Sequence, residues 1–435
     1  MKPSLIVLVL VALASPLWAQ DRQGDHCVSG DFPASSGPEI TTAGICATIA
    51  VLAADSLEGR EAGSPGSDRA SQYLAERFRS IGLEPLNGGF LQSFTFSAAV
   101  RRDPHASPDP SSDSDAILST ANVIGIVPGI DSRLADQAVV IGAHYDHLGF
   151  GGRGSLAPGE QAIHNGADDN ASGVAALLEL AQQFAARPMA RTLIFVAFGG
   201  EELGTLGSQF YITHPLWPVD QTVAMLNLDM VGRLREQLTV HGTGTSPAWT
   251  AILDDLDAQG SHPTIARVPD GFGPSDQSSF YGAQIPVLWF FTGAHEQYHR
   301  PTDDLETIDG AGAVRVANVV SAITETIAST GLEIPYAVAP TTQRRAAAFS
   351  VGLGIIPEYS FPGPGLKVAS VRPDGPADQA RVSAGDVLLK LADRDIEDVY
   401  GYTAVLSDLE AGVSYTLVYE HEGELHTVSV EPASR

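Results

Sequence analysis

The sequence predicts an α/β protein: one large domain on a mixed, mostly parallel sheet with helices on both faces, and one small β-rich unit behind it. Three observations carry this. From Ala121-Asn122-Val123-Ile124-Gly125 onward, apolar runs of strand length alternate with stretches of helical spacing, as in a doubly wound sheet. His144, Asp169, Glu201, Glu202, Asp229 and His299 stand just past such runs or at a helix start, where open α/β sheets place their active sites. After about Ala348 the pattern changes to short strands with no cluster of acidic and imidazole groups.

At 435 residues the chain exceeds one ordinary domain of ~100–200 residues. Met1-Lys2-Pro3, the apolar run Leu5 to Ala14 and then Leu17-Trp18-Ala19 have the basic start, short core and small residue of a secretory signal. Residues 1–19 are expected to be cleaved after Ala19, leaving a secreted or periplasmic protein that is soluble and free of the membrane. The run is shorter than the ~20 residues that span a bilayer, and no Cys stands directly after Ala19 to accept a lipid. Cys27 and Cys46 lie near the mature N-terminus, where export permits a bridge and two separate thiols fit as well. The net charge of −27 argues against nucleic acid as a partner, since phosphate binding relies on clustered Lys and Arg. An acidic surface suited to salt is the preferred reading; a preference for cationic substrates would give the same composition.

Along the chain, Glu58-Gly59-Arg60 and Gly63-Ser64-Pro65-Gly66 form a turn-rich lead into a helix starting near Ser67, a residue of N-cap type. Tyr73, Leu74, Phe78 and Ile81 give that helix an apolar face and Gly82 ends it. Asp103 to Asp115, dense in Pro, Ser and Asp, reads as an exposed loop. Ala138-Val139-Val140-Ile141-Gly142-Ala143 leads into His144, and Thr192 to Phe198 leads through Gly199-Gly200 into Glu201-Glu202. Val223 to Leu228 leads into Asp229, and Pro286 to Phe291 into the loop carrying His299. Between the first two runs, Ser172 to Ala186 holds Val174, Leu177, Leu178, Ala181 and Phe184 at helical spacing, with Asp169 just before it. A last helix over Ala311 to Ser329 closes a domain assigned to residues 20–333, and 334–347 reads as a linker.

The unit over 348–435 has expected strands at Leu366 to Val371, Val387 to Leu391, Ser414 to Tyr419 and Leu425 to Val430, and a helix near Tyr402 to Leu409. Gly352-Leu353-Gly354-Ile355, Gly375-Pro376-Ala377 and Ala384-Gly385-Asp386 resemble a bacterial PDZ domain over this whole tail. The resemblance implies a loop whose backbone N–H groups hold a peptide C-terminus, with the peptide added as a strand to an exposed edge. A packing module with an unused groove is the plainer alternative.

The six residues suit metal chemistry. Imidazole and carboxylate oxygen are the donors of catalytic zinc, and two-metal hydrolases hold ions ~3.5–4 Å apart across a shared ligand. Asp169 is the natural bridge, with His144 and Asp229 on one ion and Glu202 and His299 on the other. Glu201 is then left over, placed to take the proton of the attacking water and deliver it to the departing amine. Without cations, four carboxylates and two imidazoles buried together would have to take up protons, because like charges so close cannot all ionise.

Five segments extend this reading: Gly142-Ala143-His144-Tyr145-Asp146-His147, Asn165-Gly166-Ala167-Asp168-Asp169-Asn170-Ala171-Ser172-Gly173, Gly200-Glu201-Glu202-Leu203-Gly204, Asn227-Leu228-Asp229-Met230-Val231-Gly232 and Tyr298-His299-Arg300-Pro301-Thr302-Asp303. In order across roughly Asp55 to Thr330, they resemble the co-catalytic zinc aminopeptidases of the secreted bacterial leucine-aminopeptidase type. One such segment is weak; five in order are specific. The resemblance implies a three-layer α/β/α zinc exopeptidase domain that removes N-terminal residues from peptides with a free N-terminus. It also implies two Zn2+ ions on His144, Asp169, Glu202, Asp229 and His299, with Mn2+ or Co2+ as admissible substitutes, and a cis peptide at Asp169-Asn170. Tyr298 resembles the family's tyrosine that donates to the scissile carbonyl, a packed loop aromatic being the alternative.

Asp146, two residues past His144, is placed to accept from that imidazole and set its tautomer, with turn capping as its plainer role. His147, His164 and His295 read as rim or structural residues, Asp168 and Asp303 as supporting or turn residues, and Trp289, Phe290 and Phe291 as core. Gln277 departs from the family, whose members often carry His there, which puts the polarity of the pocket rim in question. No protease-associated insertion separates the ligand segments. Three other readings stand beside the main one. Glutaminyl cyclisation on the same fold uses a single zinc and lacks the full set of five ligands. A carboxypeptidase needs a basic carboxylate clamp that is not readable here. A non-catalytic peptide-binding scaffold working through its tail would have lost ligands, and none is lost.

Overall fold

The computed structural model describes residues 26–28, 37–98, 116–152, 154–157, 160–260, 262–339, 351–357, 364–371, 375–383, 385–397, 399–406 and 408–434. The expected signal at 1–19 and the Pro-rich stretch 103–115 lie outside them. Helix α1 (Thr42–Leu52) is capped by Thr41, whose hydroxyl accepts from the Gly44 N–H. Helix α2 (Pro65–Ile81) starts slightly before the expected position, because Ser64 rather than Ser67 is the N-cap and its side chain accepts from the Ser67 N–H. Pro65 then takes the first helical position, where a missing N–H is no loss. Gly82, at φ 93°, ends the helix in the left-handed region that favours glycine.

The main sheet contains β1 (Glu84–Pro85), β2 (Leu91–Ser97), β3 (Ile117–Val127), β4 (Ala138–His144), β5 (Thr192–Phe198), β6 (Thr222–Leu228), β7 (Gln237–His241), β8 (Thr264–Val268) and β9 (Val287–Phe291). Its order is β1-β3-β5-β4-β6-β9-β7-β8, with β2 on β3. Strand β4 runs parallel to both β5 and β6, and β6 parallel to β9. The sheet is mixed because β3 is antiparallel to β5 and β7 to β9. The remaining helices of this unit are α3 (Gly173–Ala186), α4 (Leu206–Thr213), α5 (Ala248–Gln259), α6 (Gln277–Gly282) and α7 (Gly310–Ser329).

Both faces of the central strands are covered, which explains why they read as largely apolar runs rather than alternating ones. On one face Val139, Ile141, Phe195, Leu226 and Phe290 share a core with Ile45 of α1, Leu177 of α3, Trp249 of α5 and Val320 of α7. On the other, Val140, Ile194, Val196, Met225 and Val287 pack with Tyr211 of α4 and Phe280 of α6. Burying each large apolar side chain contributes ~1.5–3 kcal/mol. Cys27 and Cys46 form a disulfide with Cα atoms 5.3 Å apart, and the Cys27 N–H donates to Ile308 O at 3.0 Å. The N-terminal segment is thereby tied to both α1 and the approach to α7.

This topology positions the site. Strands β5, β4, β6 and β9 are neighbours and mutually parallel, so their carboxyl ends lie along one edge. The chain moves from β4 to β5 on one side and then to β6 on the other, and that reversal opens a crevice at the end of β4.

Part of the expected linker is packed on this unit: Ile334 and Ala339 are buried, and the Ala339 N–H donates to Tyr281 Oη at 2.9 Å. Residues 340–347 lie outside the described set. Further on come β10 (Val351–Gly352), β11 (Ile355–Pro357), β12 (Leu366–Val371), α8 (Pro376–Gln379), β13 (Val387–Leu391), β14 (Arg394–Asp395), α9 (Val399–Leu406), β15 (Tyr415–His421), β16 (Glu424–Val430) and β17 (Ala433–Ser434). They form a sheet ordered β11-β12-β13-β15-β16, with β14 on β13, and a separate β10-β17 pair. A core of its own includes Leu353, Leu366, Leu388, Leu391 and Leu417. Among the described residues, no helix is long and apolar enough to cross a membrane.

Candidate metal centre

Strand β4 delivers His144 as its last residue, and Glu201-Glu202 and Asp229 follow the ends of β5 and β6. Asp169 sits in an irregular turn over Ala167–Ser172 just before α3, and its peptide bond to Asn170 is cis, as the resemblance implies. Gly166 opens this turn at φ 57°, where a Cβ would come 2.1 Å from Asp169 O. Only glycine fits. Asp303 Oδ2 accepts from the backbone N–H groups of Asp168 and Asp169, each at 3.0 Å. Asp168 Oδ1 accepts from the Gly232 N–H at 2.7 Å and from Ser172 Oγ at 2.9 Å. Asp168 and Asp303 therefore hold the turn that presents Asp169.

His144 Nε2 lies 3.3 Å from Asp169 Oδ1 and 3.5 Å from Asp229 Oδ1. His299 Nε2 lies 3.1 Å from Asp169 Oδ2 and 3.2 Å from Glu202 Oε2. The two oxygens of Asp169 thus face different imidazoles. Donor atoms ~2.1 Å from a tetrahedral ion stand ~3.4 Å from one another, so these spacings suit divalent cations. The tautomers also fit: His144 Nδ1 reaches Asp146 O at 3.3 Å and His299 Nδ1 reaches Gly154 O at 2.8 Å. A carbonyl can only accept, so each Nδ1 carries a hydrogen and Nε2 is the nitrogen left to offer a lone pair to a cation held among the carboxylates. His147 joins the second group as well, with Nδ1 2.7 Å from Glu202 Oε1.

Electrostatics divide the carboxylates. Burial would depress His144, but Glu201, Asp169 and Asp229 outweigh it and hold the imidazole well above its ordinary value. His299 is likewise raised against burial by Glu202 and Asp169. Burial would raise Asp169, yet hydrogen bonds from His144 and His299 hold it well below the usual carboxylate range. Glu202 is drawn down to about 2 against burial, chiefly by His299. Glu201 goes the other way: burial, reinforced by Glu202, Asp276 and Asp229, overcomes His144 and lifts it well above its usual value. Asp229 is also raised by burial. The adjacent pair Glu201 and Glu202 is thus pushed to opposite sides of the usual carboxylate range, the pattern expected where two neighbouring carboxylates take different roles.

The Asp146 carboxylate acts differently from its expected role. Its Oδ1 is 3.9 Å from His144 Nδ1, beyond hydrogen-bond reach, and the main-chain carbonyl takes that bond instead. The carboxylate is occupied by the N–H groups of Glu201 at 3.0 Å and Glu202 at 3.4 Å, so it fixes the turn after β5. Tyr298 stacks on His299 with ring centroids 3.8 Å apart and packs against Met230, Trp289 and Phe291. Trp289, Phe290 and Phe291 are buried. Gln277 is fully buried rather than at a rim, and its Oε1 accepts from Asn227 Nδ2 at 3.0 Å. His164 is bound to Ser155 and Ala162, and His295 Nε2 lies 3.1 Å from Asp168 Oδ2, beneath the Asp169 turn.

Arg60 has a role that its place in a turn-rich segment does not signal. Fully buried, it donates to Tyr145 O at 2.8 Å, Asn165 O at 2.6 Å, Gly166 O at 3.0 Å and Leu52 O. It ties the loop after His144 to the loop before Asp169. Burial lowers its pKa to about 10, against the pull of Asp146, Asp169 and Asp303, so it stays charged at neutral pH.

The fold is shared with solved α/β structures. Similar chains are the aminopeptidase from Aneurinibacillus sp. strain AM-1 (20% identity, TM-score 0.53, 70% of this chain and 97% of that one) and Porphyromonas gingivalis glutaminyl cyclase (19%, 0.52, 66% and 98%). At such identities the likeness defines a class of α/β domain and nothing finer. Residues 122–324 match peptidase family M28 and residues 344–431 match the PDZ domain family. The chain therefore carries an M28 peptidase domain followed by a PDZ domain. Aminopeptidase YwaD of Bacillus subtilis is 29% identical over 223 residues, covering 47% of this chain and 44% of that protein. The chain spans about half the length of the curated relatives it matches.

Proposed function

We propose that this protein is an exported metallo-aminopeptidase that removes N-terminal residues from peptides, with two zinc ions sharing Asp169. The observation that carries the proposal is the division of Asp169: Oδ1 faces His144 and Oδ2 faces His299. His144 and Asp229 would complete one site, Glu202 and His299 the other. Zinc supplies Lewis-acid polarisation of a carbonyl and a more acidic water.

The chain's own groups do the rest. Glu201, 9% exposed, takes the proton of the attacking water and returns it to the leaving amine. Tyr298 donates its phenol hydrogen to the developing oxyanion. Asp146 holds Glu201 and Glu202 in register through their backbone N–H groups. The PDZ domain is proposed to take peptide C-termini along its sheet edge.

A panel of aminoacyl chromogenic substrates, run beside their N-acetylated counterparts, tests the activity. Free-amine substrates should turn over and blocked ones should not. Equal hydrolysis of both would overturn the aminopeptidase reading, and conversion of N-terminal Gln to a cyclised product without hydrolysis would point to the cyclase alternative.

A further inference from the structure

His147 follows Asp146 in the loop leaving β4, and its side chain is fully buried. It is the third imidazole of the cage and shares the Asp169–Glu202 edge with His299, and its hydrogen-bonding pattern is the reverse of the other two. His144 and His299 each turn Nδ1 to a backbone carbonyl and Nε2 to the carboxylates. His147 turns Nδ1 to Glu202 Oε1 at 2.7 Å, with Asp169 Oδ2 farther away at 3.9 Å, and its buried Nε2 has no hydrogen-bond partner.

That orphan atom selects the tautomer. Were Nδ1 a lone pair, Nε2 would carry a buried N–H with no acceptor, which costs ~1–3 kcal/mol. With the hydrogen on Nδ1, a short donor–acceptor contact to a carboxylate is satisfied and only a lone pair is left idle. The distances agree. The 2.7 Å contact is that of a charge-assisted hydrogen bond, shorter than the 3.1–3.5 Å separations between the donor atoms that His144 and His299 share with Asp169, Asp229 and Glu202. The oxygens of Glu202 therefore have separate partners, Oε1 with His147 and Oε2 with His299.

The ring is held in place from several sides. A Cβ at Gly166 would come 2.5 Å from His147 Cγ, so the glycine leaves the space the ring fills. The His147 N–H donates to Arg60 O at 3.3 Å, and the ring meets His299 edge-on with centroids 5.7 Å apart.

We infer that His147 is a positioning residue for the second ion: it donates from Nδ1 to Glu202 Oε1 so that Glu202 presents Oε2 alone beside Asp169 and His299. The inference rests on the two-ion reading above. Outer partners of this type orient metal-binding carboxylates, and their loss lowers metal affinity by about 10–100-fold.

The full-length protein, stripped with chelator, is titrated with Zn2+ against a competing chelator, and with Co2+ followed by visible absorption. Wild type should take up two ions; failure there sinks the two-ion reading itself. His147→Leu and His147→Gln remove the donor from the Nδ1 position and should weaken one of the two sites by about 10–100-fold while sparing the other. Gln, being polar, decides the matter if the Leu variant does not fold. His147→Asn keeps an N–H near Nδ1 and should restore both affinities with an unaltered Co2+ spectrum. Wild-type affinities in the Leu or Gln variants would overturn the inference, as would equal loss at both sites. A changed Co2+ spectrum in the Asn variant would make His147 a ligand in its own right and would also overturn it.

Discussion

Arg60→Met is the perturbation whose effect the structure specifies most fully. The guanidinium is buried and gives hydrogen bonds to four backbone carbonyls, those of Leu52, Tyr145, Asn165 and Gly166. Met fills much of the volume and supplies none of the donors. Each hydrogen bond from a charged group contributes ~1.5–3 kcal/mol, but relaxation keeps four losses from adding in full. The change also removes a buried cation from beside Asp146, Asp169 and Asp303. Removing one partner of a buried charged network costs ~3–5 kcal/mol, and that is the loss expected here. At ~2–4 °C per kcal/mol for a large domain, the melting temperature should fall by ~6 °C or more. Urea and thermal unfolding of chelator-treated wild type and variant measure this without any contribution from bound ions. Arg60→Lys, with the charge but not the fork, should fall between them. A Met variant within ~1 kcal/mol of wild type would refute the reasoning, since that is little more than the scatter of surface substitutions.

Other consequences follow from the same structure. Glu201→Gln should keep its metal content while kcat falls by about 10²–10⁴-fold, the usual contribution of a positioned acid/base; unchanged turnover would remove Glu201 from that role. Replacing Cys27 and Cys46 together by Ser should destabilise the protein by ~3 kcal/mol, as loop-closure entropy predicts for a bridge across 19 residues. Denaturant titration checks it, and no change would mean that the bond adds nothing to the fold. In the PDZ domain, His421 Nδ1 sits 2.6 Å from Asp386 Oδ1, and that hydrogen bond raises the imidazole above its ordinary value. Because the folded value is the higher one, the pair's contribution is fully present below about pH 6.5 and is lost as pH rises through the folded pKa. NMR titration should show His421 above the ordinary range in wild type and back within it in Asp386→Asn.

What the sequence makes visible depends on whether a residue's neighbours in the chain are also its neighbours in space. Strands β4, β5, β6 and β9 are legible because burial on both faces leaves each one a mostly apolar run, broken in β6 by Asn227, whose amide is hydrogen-bonded to Ser275 and Gln277. Edge strand β8 is not, because Thr264–Val268 is only half-buried and mixes polar with apolar residues. Nothing in the residues of β3 states that it runs antiparallel to β5, a matter decided by pairing. His144, Asp169, Glu201, Glu202, Asp229 and His299 are legible because a strand exit or helix start immediately precedes or follows most of them. Arg60 is hidden because its partners are backbone carbonyls, which leave no side-chain signature at 52, 145, 165 or 166. His147 lies within a readable motif, yet its contact with Glu202 depends on space left at Gly166, which appears only when the two loops are folded together. Asp146 shows the reverse limit: proximity to His144 in sequence suggested a partnership that its carboxylate gives instead to Glu201 and Glu202.

The sharing of Asp169 between two sites is tested most directly by the metal content of the purified full-length protein. After dialysis to remove loosely held ions, elemental analysis should find two divalent ions per chain, and Asp169→Asn should lower the occupancy of both sites together. A folded protein that hydrolyses free-amine substrates while holding one ion or none would contradict the account.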